Sequence, residues 1–238
     1  MNDLGIEWIS DICDFEVYQE LELKDSMSFQ IGQIYVGPIK HPFSPPKVLQ
    51  CEYFDPSNEQ NCRFSISKCD LNEPKQNIPI KSINLQSDER LYILQGKNRP
   101  VIILGYCHTA WGYSATTKKG KEKLILCLPL FTFKPRHIQE YMIKILLFDI
   151  PNLFYLESSG KGLFHDSAAR FELIQPIHKV DLSAWKNSNS KPIRLSDDTL
   201  KLLWNHLSIF LSSKPLYEDL QEDLKAYAEM IKEKIGWL

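Results

Sequence analysis

The sequence predicts a mainly β chain with added helices, an α+β protein. Apolar runs of strand length recur between residues 28 and 182, most clearly at 100–106 and 123–130. Prolines and glycines separate these runs, and beyond Ser196 the apolar period lengthens to that of a helix.

Residues 3–13 predict a short helix with Leu4, Trp8 and Ile12 on one face. The first strand spans 28–39, with Ile31, Ile34, Tyr35 and Val36 as its apolar content and Gly32 and Gly37 marking bends or close approach. Pro38, Pro42, Pro45 and Pro46 end it. Residues 40–90 hold three cysteines and short strand-like stretches near 48–54 and 63–67, so this excursion is expected to form a small subdomain or added hairpins. Strands follow at 91–94, 100–106 and 123–130, the last two joined as a hairpin. Over 136–147 the residues Ile138, Met142, Ile145 and Leu146 share one helical face, with Pro135 suited to the first turn and Pro151 to the stop. Residues 153–156 and 168–182 return to strand character, and Pro176 marks a bend, an edge or a bulge. Leu200, Leu203, Trp204, Leu207 and Leu211 define one amphipathic helix, and Leu220, Leu224, Tyr227 and Ile231 another. The last helix has Glu218, Asp219, Glu222 and Asp223 in its first turns and Lys232 and Lys234 in its last, which complements the helix dipole. The expected organisation is an acidic segment at 1–27, a β domain at 28–185 with its insertion at about 40–90, and a helical extension at 196–238.

At 238 residues the chain has room for one large domain, or for a domain of ordinary size with a substantial extension. A hydrophobic share of 43% with 24% charged residues excludes the disordered and membrane classes. No apolar run is long enough to cross a bilayer, and the start lacks a secretory signal, so a cytoplasmic location without membrane contact is expected. The six cysteines form no CxxC pair and are expected to be free thiols. Cys51, Cys62 and Cys69 with His41 match no standard zinc spacing, and neither a metal nor a cofactor is expected.

The formal net charge of −2 conceals a segregation along the chain. Among residues 1–30, Lys24 stands alone against Asp3, Glu7, Asp11, Asp14, Glu16, Glu20, Glu22 and Asp25. Between 97 and 136, Glu122 stands alone against Lys97, Arg99, Lys118, Lys119, Lys121, Lys123, Lys134 and Arg136. This basic stretch is interleaved with Tyr106, His108, Trp111 and Tyr113, and cations for phosphates with rings for bases suit single-stranded nucleic acid. A solvated lysine-rich loop satisfies the same pattern. Arg99, held at the mouth of the apolar strand by Pro100, presents a fork of donors that suits a phosphate. It suits equally a structural carboxylate such as Glu172. Arg170, Glu172 and Ile174 alternate onto one strand face.

The order of these elements resembles the MazF/PemK toxins of type II toxin-antitoxin systems. The matching pieces are Ile31-Gly32-Gln33-Ile34-Tyr35-Val36, Arg99-Pro100-Val101-Ile102-Ile103-Leu104, Leu126-Cys127-Leu128-Pro129-Leu130, and the stretch from Ser167 to Ile177. The resemblance implies an SH3-like small barrel of the CcdB/PemK type, and a metal-independent endoribonuclease that cleaves single-stranded RNA with the 2′-hydroxyl as nucleophile. It implies Arg99 as catalytic residue, a homodimer, and an acidic antitoxin partner. The family threonine that follows the third-strand proline corresponds most nearly to Thr132, one place late, which in a strand faces the other side unless a bulge intervenes. With His108 as a candidate general base, the expected catalytic residues are Arg99, Thr132 and His108. The expected RNA contacts are Trp111, Tyr113, Lys118, Lys119 and Lys121, on a 105–123 loop walling a groove beside Arg99. The displaced Thr132, the long insertion and the helical extension also fit a second expectation, a noncatalytic SH3-like module that binds nucleic acid or a protein partner. A further expectation is that the acidic N-terminal segment covers the basic groove.

Overall fold

A computed structural model describes residues 6–22, 28–40, 45–55, 57–69, 91–107, 124–134 and 139–237. The elements open with α1 (Ile9–Cys13), β1 (Tyr18–Glu20), β2 (Ile34–Lys40), β3 (Lys47–Tyr53), β4 (Arg63–Lys68) and β5 (Tyr92–Ile93). There follow β6 (Gly96–Cys107), β7 (Leu124–Thr132), α2 (Gln139–Leu146), β8 (Leu153–Leu156), β9 (Ser167–Arg170), β10 (Gln175–His178) and β11 (Ser183–Ala184). The chain closes with β12 (Ile193–Leu195), α3 (Asp197–Ser212) and α4 (Glu218–Lys234). The class is α+β with antiparallel sheets, and among the described residues the strands form no closed barrel. No helix among them is long and apolar enough to cross a membrane.

The chain forms two compact units, Met1–Pro38 with Asn98–Leu238, and Ile39–Lys97. The second contains the three-stranded sheet β4-β3-β5, so the long excursion has strands of its own. In the first, a seven-stranded sheet runs β11-β2-β6-β7-β9-β8, with β10 also on β7. The middle of β6 and β7 is buried on both faces. Ile102, Leu104, Leu128 and Leu130 enter the main core, while Val101, Ile103, Ile125 and Cys127 are buried outside it. Two covered faces explain why these strands read as continuous apolar runs rather than alternating ones.

The strand expected over 168–182 is broken by 3-10 turns at Phe171–Leu173 and Lys179–Asp181, which leave β9 and β10. The register explains the first division. β9 pairs with Leu130–Thr132 of β7, and β10 pairs with Leu124–Cys127 on the same edge. Between these ladders the chain makes a 3-10 turn, Phe171–Leu173, which sinks Phe171 and Leu173 into the interior. The expected helix over 3–13 is described only as α1, ended by Asp14 in a left-handed conformation with φ of 50°.

Residues toward both ends of the described chain, Trp8 and Ile231 among them, join the larger unit's core. Trp8 and Tyr18 are each 2% exposed, and β1 pairs with β12. The Tyr18 hydroxyl donates to the Glu157 carbonyl at 2.7 Å, and its ring lies so close to Gly162 that a Cβ there would meet it at 2.1 Å. Three acidic residues of this segment are ion-paired: Glu7 with Lys234, Glu16 with Lys161 and Glu20 with Lys191. Hydrogen bonds from Lys191, Asn189 and Asn187 hold the Glu20 carboxyl down at about 2. In α3 and α4, Leu200, Leu203, Leu207, Leu224, Tyr227 and Ile231 pack into the core that Trp8 and Leu128 share. The helices expected as an extension therefore complete the core. Ser196 caps α3 by accepting from the Thr199 amide at 3.1 Å. The buried Asn205 fixes the α3–α4 turn, its Oδ1 accepting from the Leu216 and Tyr217 amides at 3.0 and 2.9 Å.

His206 is buried in α3 and donates from Nε2 to the Leu153 and Ile150 carbonyls at 2.9 and 3.2 Å. Burial outweighs those carbonyls and lowers its pKa from the ordinary 6.5. The unfolded chain then takes up the proton first, so stability is full above about pH 6.5 and declines as pH falls below it. Urea unfolding across about pH 7.5 to 5 is expected to show that decline, and a His206→Asn variant to show less of it.

Candidate anion site

Arg99 precedes a proline, which favours extended backbone, and it sits half-buried near the start of β6. Extending the Val101↔Pro129 register outward by two places sets Arg99 opposite Phe131 of β7. The two side chains meet there, with the guanidinium carbon 4.0 Å from the Phe131 ring centroid. On the other side of β7, Phe131 pairs with Ala168, whose small side chain leaves the ring open along β9. Two residues farther along the same face of β9, Arg170 brings its guanidinium carbon to 5.0 Å from the same centroid. Three adjacent strands thus place two arginines on one ring.

Glu172 comes from the 3-10 turn that separates β9 from β10. Its Oε1 accepts from Arg170 Nε at 2.7 Å and also from Arg170 Nη2. Arg170, and not Arg99, therefore has this carboxylate. Glu172 Oε2 and Arg99 Nε are both buried from solvent and have no hydrogen-bond partner. Among the described residues no carboxylate pairs with Arg99. Burial lowers the Arg99 pKa, and the charge of Arg170 lowers it further. Among the described residues, one carboxylate, that of Glu172, accompanies the two guanidinium charges. A fixed pair of cationic forks with an idle buried N–H is suited to an oxyanion. The stack on Phe131 contributes about 0.5–2 kcal/mol per arginine and orients both forks.

Thr132 pairs with Ser167 in an unbroken ladder one place beyond Phe131. Alternation turns its side chain to the opposite face of the sheet from Phe131 and Arg99. The bulge that would have altered this lies elsewhere, at Leu104 between the Ile103↔Cys127 and Gly105↔Leu126 pairs. His108, Trp111, Tyr113, Lys118, Lys119 and Lys121 lie outside the described residues. The flanking Cys107↔Leu124 pair lies eight places along β6 from Arg99, roughly 26 Å at strand spacing. Tyr106, beside that pair, donates its hydroxyl to the Ser28 carbonyl at 3.1 Å.

No sequence pattern points to Phe131, and Glu172, one carboxylate that suited Arg99 by sequence, is bonded to Arg170. The register of the 100–106 and 123–130 hairpin could have revealed Phe131. That register depends on a 16-residue connection, residues 108–123, and a bulge, neither of which a pattern of apolar residues fixes. Elsewhere, a cavity of about 470 Å³ beside α2 is lined by Gln139, Glu140, Ile143, Lys144 and Trp237. Its two charged groups, Lys144 and Glu140, already pair at 2.6 Å. Among the described residues, no group of three or more His, Cys, Asp or Glu side chains is placed to hold a metal ion. No protein-family model matches the chain, and no curated protein matches it either.

Proposed function

We propose that the chain binds single-stranded RNA with a strand phosphate held between Arg99 and Arg170, and cleaves it as a MazF/PemK-like toxin built on an SH3-like barrel. The observation that supports this most is the arginine pair on Phe131, in which Arg99 keeps a buried N–H without a partner. In this reading the 2′-hydroxyl oxygen attacks the adjacent phosphorus and the bond to the 5′ oxygen breaks, giving a 2′,3′-cyclic phosphate and a free 5′-hydroxyl. The attacking oxygen gives up its proton and the leaving oxygen gains one. Charge gathers on the nonbridging oxygens during the step, and two fixed guanidinium groups stabilise it there. The nucleophile belongs to the substrate, so the step requires no metal. As in the family it resembles, the chain works as a homodimer in the cytoplasm, and an acidic antitoxin segment neutralises it.

Thr132 favours a second reading. Its hydroxyl lies across the sheet from Arg99, so the family's catalytic pair is not assembled on one face. A module that binds RNA at the arginine pair without cutting it fits that observation. Incubating the purified chain with a long single-stranded RNA and a chelator separates the two readings. Cleavage with cyclic phosphate ends, lost in Arg99→Ala, supports the ribonuclease. Tight binding without product supports the module, and RNA that is neither bound nor cut contradicts both.

A further inference from the structure

We propose that Glu172 is the specificity-determining residue of the arginine site: it fits the site to the singly charged phosphodiester of a strand and against the doubly charged phosphomonoester of a nucleotide or strand end. The inference rests on the reading of Arg99 and Arg170 as an anion site.

Alone, two guanidinium groups on one ring suit a dianion, because two positive charges are best neutralised by two negative ones. Glu172 changes that balance. Its Oε1 takes both bonds from Arg170, so one of the two positive charges is already answered by the protein. What remains is the single charge of Arg99, which among the described residues has no carboxylate. A phosphodiester brings one negative charge to meet it. A phosphomonoester brings a second, which the Glu172 carboxylate repels. In a partly exposed site, repulsion between two unit charges of one site is worth about tenfold in affinity.

The position of Glu172 gives it this role without making it a permanent lock. One oxygen bonds Arg170 while Oε2 is buried and bonded to nothing, so the carboxylate is held by one partner from one side. It comes from a turn extruded between two ladders on β7, which places a carboxylate at the end of β9 without interrupting the pairing that fixes Arg99, Phe131 and Arg170. The site can therefore keep both cations in register and still present a single uncompensated charge.

The test uses the full chain and two small uncleavable anions, thymidylyl-3′,5′-thymidine as diester and thymidine 5′-monophosphate as monoester, at about pH 8 where the monoester is doubly charged. Binding is read from the side-chain Nε–H resonances of Arg99 and Arg170. The wild-type protein is expected to bind the diester more tightly. Glu172→Gln is expected to shift the ratio of affinities toward the monoester by about tenfold, while Glu172→Asp, which keeps the charge, holds the wild-type ratio. A wild-type preference for the monoester overturns the proposal without any variant being needed. A ratio unchanged in Glu172→Gln, with both anions still moving the arginine resonances, also overturns it and leaves the anion site standing. If neither anion moves those resonances in any form of the protein, the anion site falls and the proposal with it.

Discussion

Arg99→Ala is expected to lower RNA cleavage by about 10²–10³-fold while leaving thermal stability nearly unchanged. The two effects separate because of what Arg99 touches. Its guanidinium lies on Phe131 at 4.0 Å, its Nε is buried without a partner, and among the described residues no carboxylate depends on it. Removing it forfeits a stack worth about 0.5–2 kcal/mol, but it also ends the repulsion from Arg170 and the burial of an unpartnered donor. Arg99→Lys is expected to recover little activity, since a lysine offers a point charge where the site is built for a planar fork. Arg170→Ala is expected to behave differently. It leaves the Glu172 carboxylate without the one partner it has among the described residues, so stability falls with activity. Cleavage rates beside melting temperatures for these three variants check the separation.

Trp8→Ala is expected to destabilise the larger unit by about 3–5 kcal/mol, and removal of residues 1–22 to unfold it. Trp8 is 2% exposed and makes edge contacts with the Phe15, Phe154 and Tyr155 rings at 6.4, 6.4 and 5.6 Å. Truncation also strips β1 from β12 and Tyr18 from Glu157. This bears on the expectation that the acidic segment covers a basic groove. Glu7, Glu16 and Glu20 are bonded to Lys234, Lys161 and Lys191, so much of the segment's negative charge serves its own docking. A truncated chain is expected to lose RNA binding through unfolding, not to gain it through release. Circular dichroism melting of both variants, read beside RNA binding, decides between these outcomes.

Much of the fold was legible because its signals are local. Residues 153–156, Leu-Phe-Tyr-Leu, are a short apolar run just after Pro151 and form β8, and Ser196 before a 3.6-residue apolar period marks the start of α3. The long excursion announced strands of its own by its length and by the strand-like stretches near 48–54 and 63–67. What stayed hidden depends on contacts between distant segments. The break after Arg170 exists because β9 and β10 share one edge of β7, and no local pattern in 168–182 states that. The helices of the tail look like an appendage in sequence, since amphipathicity says that a face is buried but not against what. The site was half legible. Arg99 beside Pro100 stood out, whereas its companions Phe131 and Arg170 come from strands 32 and 71 residues away in sequence.

The most direct test of the arginine pair as a phosphate site is the salt dependence of binding to a single-stranded oligonucleotide with every sugar 2′-deoxy, which cannot be cleaved through the 2′ position. Arg99→Ala is expected to weaken binding by about tenfold or more and to lower the slope of log affinity against log salt by about 0.7, the share of one released counterion. Wild-type affinity and an unchanged slope in Arg99→Ala would contradict a phosphate site at the pair.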